Sequence, residues 1–298
     1  MKVFITGATG FVGGFILREL KKQGYEVRCL VRNKEQATRN GINETEMVVG
    51  DVTNQDSLQG LVSGSDAIIH LVAIIKENRK RGITFESINF EATNNIVTAA
   101  VEQGVNRFLH ISALGADPQG STPYFRTKGR AEALVKASSL NYSIFRPSFI
   151  YGPGDAVYSM LAKIIRAMPF GIMPIFGNGN YRHQPVHVET LATGIVNSIS
   201  EKQAYHTPYD VGGPEPIKYR DQLTTIGKVV GKKVRHLQIP LWISKIAVYL
   251  FGRFRFVPID SDTLTMLISE NTCNPIPFSE ELNSPLESFE TGLKYLHY

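Results

Sequence analysis

Met1-Lys2-Val3-Phe4-Ile5-Thr6-Gly7-Ala8-Thr9-Gly10-Phe11-Val12-Gly13-Gly14 opens the chain. Val3 to Ile5 is short, apolar and β-branched at both ends, the pattern of a buried strand. Gly7, Gly10 and Gly13 follow at three-residue spacing. Val12, Phe15, Ile16 and Leu20 then recur at helical intervals, so the glycines sit on a strand-to-helix turn. A turn this tight needs backbone that a Cβ would obstruct. The helix behind it aims unpaired N–H groups and the positive end of its dipole at the space above, where a pyrophosphate fits. Gly7, Thr9, Gly10, Phe11, Val12 and Gly13 are therefore the first candidate cofactor contacts. A packing role for the glycines alone is the competing explanation.

The composition agrees with a large α/β protein. With 43% hydrophobic residues in 298, the chain can bury a sizeable core as one elaborated domain or as two. The net charge of +5 comes from scattered Lys and Arg. Its one dense run, Lys76 to Arg81, lacks the interleaved aromatics of a nucleic-acid reader, and a solvated loop is expected there. Cys29 lies in an apolar strand and Cys273 far from it, which suggests neither a disulfide framework nor a zinc site. The fold signal starts at once, so no leader is expected, and no uninterrupted stretch is long enough to span a bilayer. A cytoplasmic protein is expected.

Strand and helix patterns alternate onward. Gly24 marks the turn into a second strand, Glu26 to Val31. About twenty residues past the last glycine, an NAD site carries an acid for the adenosine ribose. Here Arg32 and Asn33 stand in its place, and a guanidinium suits a 2′-phosphate. NADP(H) is expected to be preferred, with NAD(H) as the alternative. Met47 to Val49 is a third strand ending near Asp51 and Val52; Asp51 is a candidate for the adenine amino group or a plain turn acid. Leu58 and Leu61 mark a short helix. Ala67 to Ala73 is a continuous apolar run suited to a central parallel strand, with His70 inside it as a core residue. Phe85 to Gln103 reads as one long helix, and Phe108 to Ile111 as the next strand, leaving through Ser112-Ala113-Leu114-Gly115. The result is a doubly wound parallel sheet, whose ligands bind beyond the carboxyl ends of the strands. The glycine turn, Asp51, Leu71 to Ala73 and Ser112 should share that rim.

Tyr124-Phe125-Arg126-Thr127-Lys128 then opens a helix with Ala131, Leu134 and Val135 inward. Tyr124 and Lys128, four apart, lie one above the other on one face. An ammonium beside a phenol should pull its pKa of about 10 towards neutrality and make Tyr124 an acid/base for a carbonyl or carbinol. Lys128 can also reach a ribose hydroxyl.

The glycine turn, the Tyr-x-x-x-Lys helix and Arg146-Pro147-Ser148-Phe149-Ile150-Tyr151-Gly152-Pro153-Gly154 together resemble the extended or atypical short-chain dehydrogenase/reductases, related to NAD-dependent epimerases and dehydratases. Val186-His187-Val188-Glu189 and Tyr209 to Ile217 resemble that group's returning strands. Ile111 to Ala116 and Ser261 to Leu267 are most similar to the branch with the 39-kDa-type accessory subunit of respiratory complex I. The resemblance implies a Rossmann-type fold with a smaller, mostly carboxyl-terminal substrate domain. Its cofactor half would span residues 1–150 plus about 176–205, and its substrate half about 151–175 and 206–298. It also implies Tyr124, Lys128 and Ser112 as catalytic residues, with Pro147 and Phe149 near the nicotinamide end. Relatives acting on sugar nucleotides place a Ser or Thr two residues beyond the first serine of the fifth strand's exit. This chain has Leu114 there, with Ser121 and Thr122 as alternatives. The complex I branch implies a second possibility, a bound nucleotide that serves structure in an accessory, assembly or sensor protein.

The second half is less informative. Tyr142 to Pro147 is a sixth strand, Ala156 to Met168 a helix outside the sheet, and Gly177-Asn178-Gly179-Asn180 a hairpin turn. His183, His187 and Glu189 would share a strand face, but nothing supplies further support for a metal. Arg182 resembles a substrate-phosphate contact. From Ile239 to Ile259, Trp242, Ile243, Ile246, Ala247, Leu250 and Phe251 recur helically with Lys245, Arg253 and Arg255 beside them. A core helix is the favoured expectation; peripheral membrane contact, or a seat for a lipophilic substrate such as a quinone or isoprenoid, is the alternative.

Overall fold

In the computed structural model, residues 1–244, 246 and 261–297 are described. The chain forms two compact units. The first comprises Met1–Pro147, Val188–Val211 and Pro275–Pro285; the second comprises Ser148–His187, Gly212–Asn274 and Leu286–Tyr298.

The first unit is built on seven strands: β1 (Lys2–Thr6), β2 (Glu26–Val31), β3 (Met47–Val49), β4 (Ala67–His70), β5 (Arg107–Ile111), β6 (Asn141–Pro147) and β7 (Thr207–Val211). Their order is β7-β6-β5-β4-β1-β2-β3, and every pairing is parallel. This is a Rossmann-type sheet, in which the chain reverses direction between β1 and β4 and opens a crevice at their carboxyl ends. Ala67 to His70 are all fully buried, as a central strand covered on both faces must be. The apolar run continues to Ala73, but the strand stops at His70, so Leu71 to Ala73 leave the sheet as a loop.

Four helices bear on the site: α1 (Phe11–Lys22), α2 (Lys34–Arg39), α3 (Ala92–Glu102) and α4 (Pro123–Ala137). The long helix expected from Phe85 has a different beginning. Glu86–Glu91 is a π-helix, and α-helical geometry starts only at Ala92. Asn89 within this π-turn is fully buried, on the same side as Ala92 and Ile96 of the helix that follows. Its side chain holds the loop after β4, accepting from Ile74 N at 2.8 Å and donating to Ile74 O at 3.2 Å. The Lys76 to Arg81 run is an exposed loop closed by Glu77, which binds Arg79 at 2.7 Å and Phe85 N at 2.9 Å.

Returning segments complete this unit. Buried Arg107, at the start of β5, donates to Asn141 O, Ser143 Oγ, Ser198 O and Ile199 O at 2.7–3.2 Å. Ser284 Oγ donates to Thr190 O, and Asn197 Nδ2 to Leu282 O.

The second unit packs helices Val157–Ala167 and Tyr219–Val229 around a core of Tyr151, Tyr158, Leu161, Ile165, Leu223 and Phe289. The turn at Gly177 to Asn180 is present, with φ of +62° and +65° at its glycines, but it does not make a hairpin. Ile172–Phe176 before it pairs in parallel with Arg235–Ile239, whereas Arg182–His183 after it pairs antiparallel with Ile217–Lys218. His183, His187 and Glu189 do not share one strand. His183 lies in that second pair, His187 in Val186–His187, and Glu189 in helix Val188–Asn197. Neither Cys29 nor Cys273 is in a disulfide. No described helix is long and apolar enough to cross a membrane.

The expected core helix after Ile239 is partly visible. Residues 241–244 and 246 are helical, but Leu241, Trp242, Ile243 and Ile246 are exposed, so the core expectation fails for them. Lys245, Ala247, Leu250, Phe251, Arg253 and Arg255 lie outside the described residues.

Candidate active site

The glycine turn is shaped by its missing side chains. Gly7 adopts φ +79° beside Leu71; a Cβ there would sit 3.2 Å from Leu71 Cβ, at the crevice between β1 and β4. A Cβ on Gly13 would stand 2.1 Å from Gly7 O and 2.8 Å from Ala8 Cα, both backbone atoms that cannot step aside. Gly10 caps α1 with no side chain bonded to the helix end, and α1 carries no acid in its first turn. The opening N–H groups of Phe11, Val12 and Gly13 therefore lack a competing side-chain acceptor, as an anion cradle requires. A Cβ would fill this cradle, so the residues present fit the pyrophosphate of a dinucleotide.

The flanking residues occupy the carboxyl ends of their strands. Arg32 follows β2 and is exposed; Asn33 beside it caps α2, its Oδ1 accepting from Gln36 N at 2.9 Å. Asp51 follows β3 and folds a turn, with Oδ1 taking Thr53 N at 2.9 Å and Thr53 Oγ1 at 2.8 Å. Val52 O receives Asn95 Nδ2 at 2.9 Å. Leu71 and Ala73 lie on the loop that Asn89 anchors. Pro147 ends β6, whereas Phe149 belongs to the second unit, with its ring 4.6 Å from His183. Arg182 forms a two-point ion pair with Glu270, both contacts at 3.1 Å, so its guanidinium is already engaged.

Tyr124 and Lys128 stand one turn apart near the start of α4, which Thr122 caps through Phe125 N and Pro123 opens. Capping occupies Thr122, and Ser121 is exposed. Leu114, in the position of the relatives' hydroxyl, is half-buried and joins its backbone N to Pro147 O at 3.0 Å.

The electrostatics differ from the simple picture of an ammonium acidifying a phenol. Tyr124 sits between Phe85 and Phe125, with ring centroids 5.9 and 5.5 Å away, and burial pushes its pKa up to about 12. The Lys128 ammonium does not offset this. It is buried and donates to Ile111 O at 2.5 Å, and burial brings its own pKa down to about 8, with Glu132 opposing. Tyr124 therefore keeps its proton at neutral pH.

Glu132, one turn beyond Lys128, escaped the sequence analysis. Burial alone would raise its carboxyl; the bonds from Arg146 and the charges of Arg146 and Lys136 overcome that and hold it below the usual carboxylate range. Arg146 grips it with Nε at 2.8 Å and Nη2 at 2.6 Å. Ser112, at the exit of β5, is buried against this pair, its N bonded to Phe145 O. Beneath them His70 and His110, register partners on β4 and β5, stack at 5.7 Å. Thr93 Oγ1 donates to Asn89 O, so it accepts from His70 Nε2 at 3.2 Å; Thr6 Oγ1 then donates to Nδ1 at 2.8 Å. His70 is thus a neutral core residue with a fixed tautomer. His110 is fully buried, and among the described residues neither of its ring nitrogens has a partner.

An all-parallel sheet, a glycine cradle at its crevice and a Tyr–Lys pair on the helix after the fifth strand define a dinucleotide-binding protein of the short-chain dehydrogenase/reductase type. The chain belongs to the NAD dependent epimerase/dehydratase family, whose model matches residues 3–212. It is similar to NADH dehydrogenase [ubiquinone] 1 alpha subcomplex subunit 9, mitochondrial, of Arabidopsis thaliana, at 24% identity over 81% of this chain and 61% of the relative. The chain therefore spans about three fifths of that relative's length. It is similar to the ceramide reductase of Caulobacter vibrioides, at 32% identity over 65% of this chain and 59% of the relative. Among solved structures, UDP-glucuronic acid 4-epimerase from Bacillus cereus in complex with UDP-glucuronic acid and NAD superposes with TM-score 0.76. That match has 20% identity and covers 100% of this chain and 98% of the epimerase.

Proposed function

We propose that the chain is an NADP(H)-preferring oxidoreductase that reduces a carbonyl group, with Tyr124 as the proton donor and Lys128 as its partner. The observation that carries this reading is the state of the pair: a phenol held protonated by its apolar surroundings, one turn from an amine whose pKa is near 8. A nicotinamide, when bound, supplies the hydride. Tyr124 hands its proton to the oxygen that becomes negative, and Lys128, close to neutrality, is suited to return one. Ser112, whose buried Oγ has no partner among the described residues, orients the substrate oxygen. The exposed Arg32 after β2 supports selection of a 2′-phosphate.

Apolar substrates suit this pocket better than sugars. Phe85 and Phe125 flank Tyr124, Leu114 replaces a hydroxyl, and the likeness to a ceramide reductase supports a lipophilic ketone or quinone. A sugar nucleotide, the ligand of the superposed epimerase, is the alternative substrate. The test is NADPH oxidation with long-chain ketones, quinones and UDP-sugars, for the chain and for Tyr124→Phe. Turnover on an apolar ketone, lost in Tyr124→Phe while NADPH still binds, supports the reading; a Tyr124→Phe variant with full activity defeats it. Tighter NADPH than NADH binding, equalised by Arg32→Ala, supports the cofactor preference; equal binding before substitution removes it.

Leu114 favours one second reading. Without the hydroxyl that relatives use, the chain would hold its nucleotide for stability, as an accessory or assembly protein. In that case NADPH raises the melting temperature, no substrate is turned over, and Tyr124→Phe changes nothing.

A further inference from the structure

The second unit presents an apolar, cationic face with no assigned role. In the ribbon of Ile172–Phe176 and Arg235–Ile239, Met173 and Ile175 turn inward, while Ile172, Pro174 and Leu237 are exposed on the other side. The register sets Ile172 beside Arg235 and Pro174 beside Leu237, so these four share one outward face. Leu237 is 56% exposed.

Both ends of the ribbon extend this face. At one end Phe170 is 84% exposed and adopts φ +57°, a left-handed conformation costly for a bulky aromatic. It is held there because Gly171 lies directly on the backbone of Lys233, where a Cβ would be 1.9 Å from Lys233 O. At the other end Gly177 packs near Leu241, and the helical turn that follows has its polarity reversed. It buries Ser244, whose N and Oγ bond Pro240 O, and exposes Leu241, Trp242, Ile243 and Ile246. Soluble helices do the opposite.

The sequence that carries this face is charged with one sign only. Between Asp221 and Asp260 the sequence holds Lys228, Lys232, Lys233, Arg235, Lys245, Arg253 and Arg255 and no acid. Lys228 pairs with Glu290, but among the described residues Lys232, Lys233 and Arg235 form no ion pair. Self-association through this patch would press cations against cations, which a symmetric interface cannot avoid. Exposed aromatics ringed by unpaired cations match the headgroup layer of an anionic bilayer.

We propose that this face docks on an anionic lipid surface, with Phe170 and Trp242 entering the interfacial layer and Lys232, Lys233 and Arg235 meeting the lipid phosphates. Docking here needs no turnover at Tyr124, so it stands or falls apart from the catalytic reading.

Trp242 is the chain's single tryptophan, so its fluorescence reports this face alone. The full chain is mixed with vesicles of phosphatidylcholine, or of phosphatidylcholine with about one third phosphatidylglycerol. A blue shift and co-sedimentation on the acidic vesicles, weakened by salt and absent on phosphatidylcholine alone, are expected. Replacing Lys232, Lys233 and Arg235 together by Gln should weaken partitioning about a hundredfold, because each surface cation contributes roughly a factor of five. Phe170→Gly, which also relieves the φ strain, should lower binding with the fold intact by circular dichroism. The proposal is overturned by equal binding to both vesicles, by an acidic-vesicle affinity unchanged in the triple variant, or by no binding at all. It is also overturned by a dimer in light scattering that Trp242→Ser converts to monomer, or by capture of an acidic protein in place of lipid.

Discussion

Lys128 links the chemistry to a measurable stability. Burial takes its pKa from 10.5 to about 8, against the opposing field of Glu132. At about 1.4 kcal/mol per tenfold change in proton affinity, the buried charge costs the folded state about 3 kcal/mol. Below pH 8 both folded and unfolded chains hold the proton and the whole cost is present. Between pH 8 and 10.5 the unfolded chain still holds it while the folded chain has released it, so stability rises with pH. About 2 kcal/mol of that gain falls between pH 7 and 9.5. Urea unfolding across this range, for the chain and for Lys128→Met, isolates the effect, because the buried tyrosines titrate in both proteins and cancel. The wild-type stability should climb relative to the variant by about 2 kcal/mol. A difference flat to within about 0.5 kcal/mol would refute the depressed amine, and with it the proposed return of a proton to Tyr124.

Other substitutions probe neighbouring parts of the site. Gly13→Ala forces a Cβ onto Gly7 O and should abolish NADPH and NADH binding in calorimetry, with a stability loss of about 1–3 kcal/mol. Glu132→Gln leaves Arg146 only its longer contact to Asp210 at 3.5 Å and should cost about 2 kcal/mol in urea unfolding, while lowering the Lys128 pKa further. His110→Leu removes two unbonded buried nitrogens and should stabilise the chain by about 1 kcal/mol; a loss of that size would indicate a buried water bonded to the ring. Burial depresses the pKa of both His70 and His110, so the unfolded chain gains protons first on acidification. Stability should therefore fall as pH drops below about 6.5, less steeply in His110→Leu.

The parts of this protein that the sequence made legible are those decided by neighbours in sequence. β1 to β6 follow runs of branched apolar residues, and the glycine turn follows from where three Cβ atoms are missing. What escaped depends on partners far along the chain. The π-turn at Glu86–Glu91 has the same apolar spacing as an ordinary helix, so nothing in the local pattern separates the two. Gly177 to Asn180 carries a sound turn signal, but the strand before it finds its partner near residue 235. The i, i+4 spacing placed Tyr124 and Lys128 together without revealing that Ile111 O takes the ammonium. Glu132 gave no signal of its own, because its significance comes from Arg146 on the next strand. Trp242 and its neighbours had the periodicity of a buried helix, and periodicity is silent about which medium an apolar stripe faces.

Arg107 bears on how this chain is made. Two of its four acceptors, Ser198 and Ile199, lie far downstream, and the segment that holds them is secured in turn by residues 275–285. A growing polypeptide exposes this guanidinium long before its acceptors emerge from the ribosome. The sheet assembled first must therefore stay incomplete until residues 188–211 and 275–285 have been made, and a fragment ending at Pro147 should be recovered as aggregate.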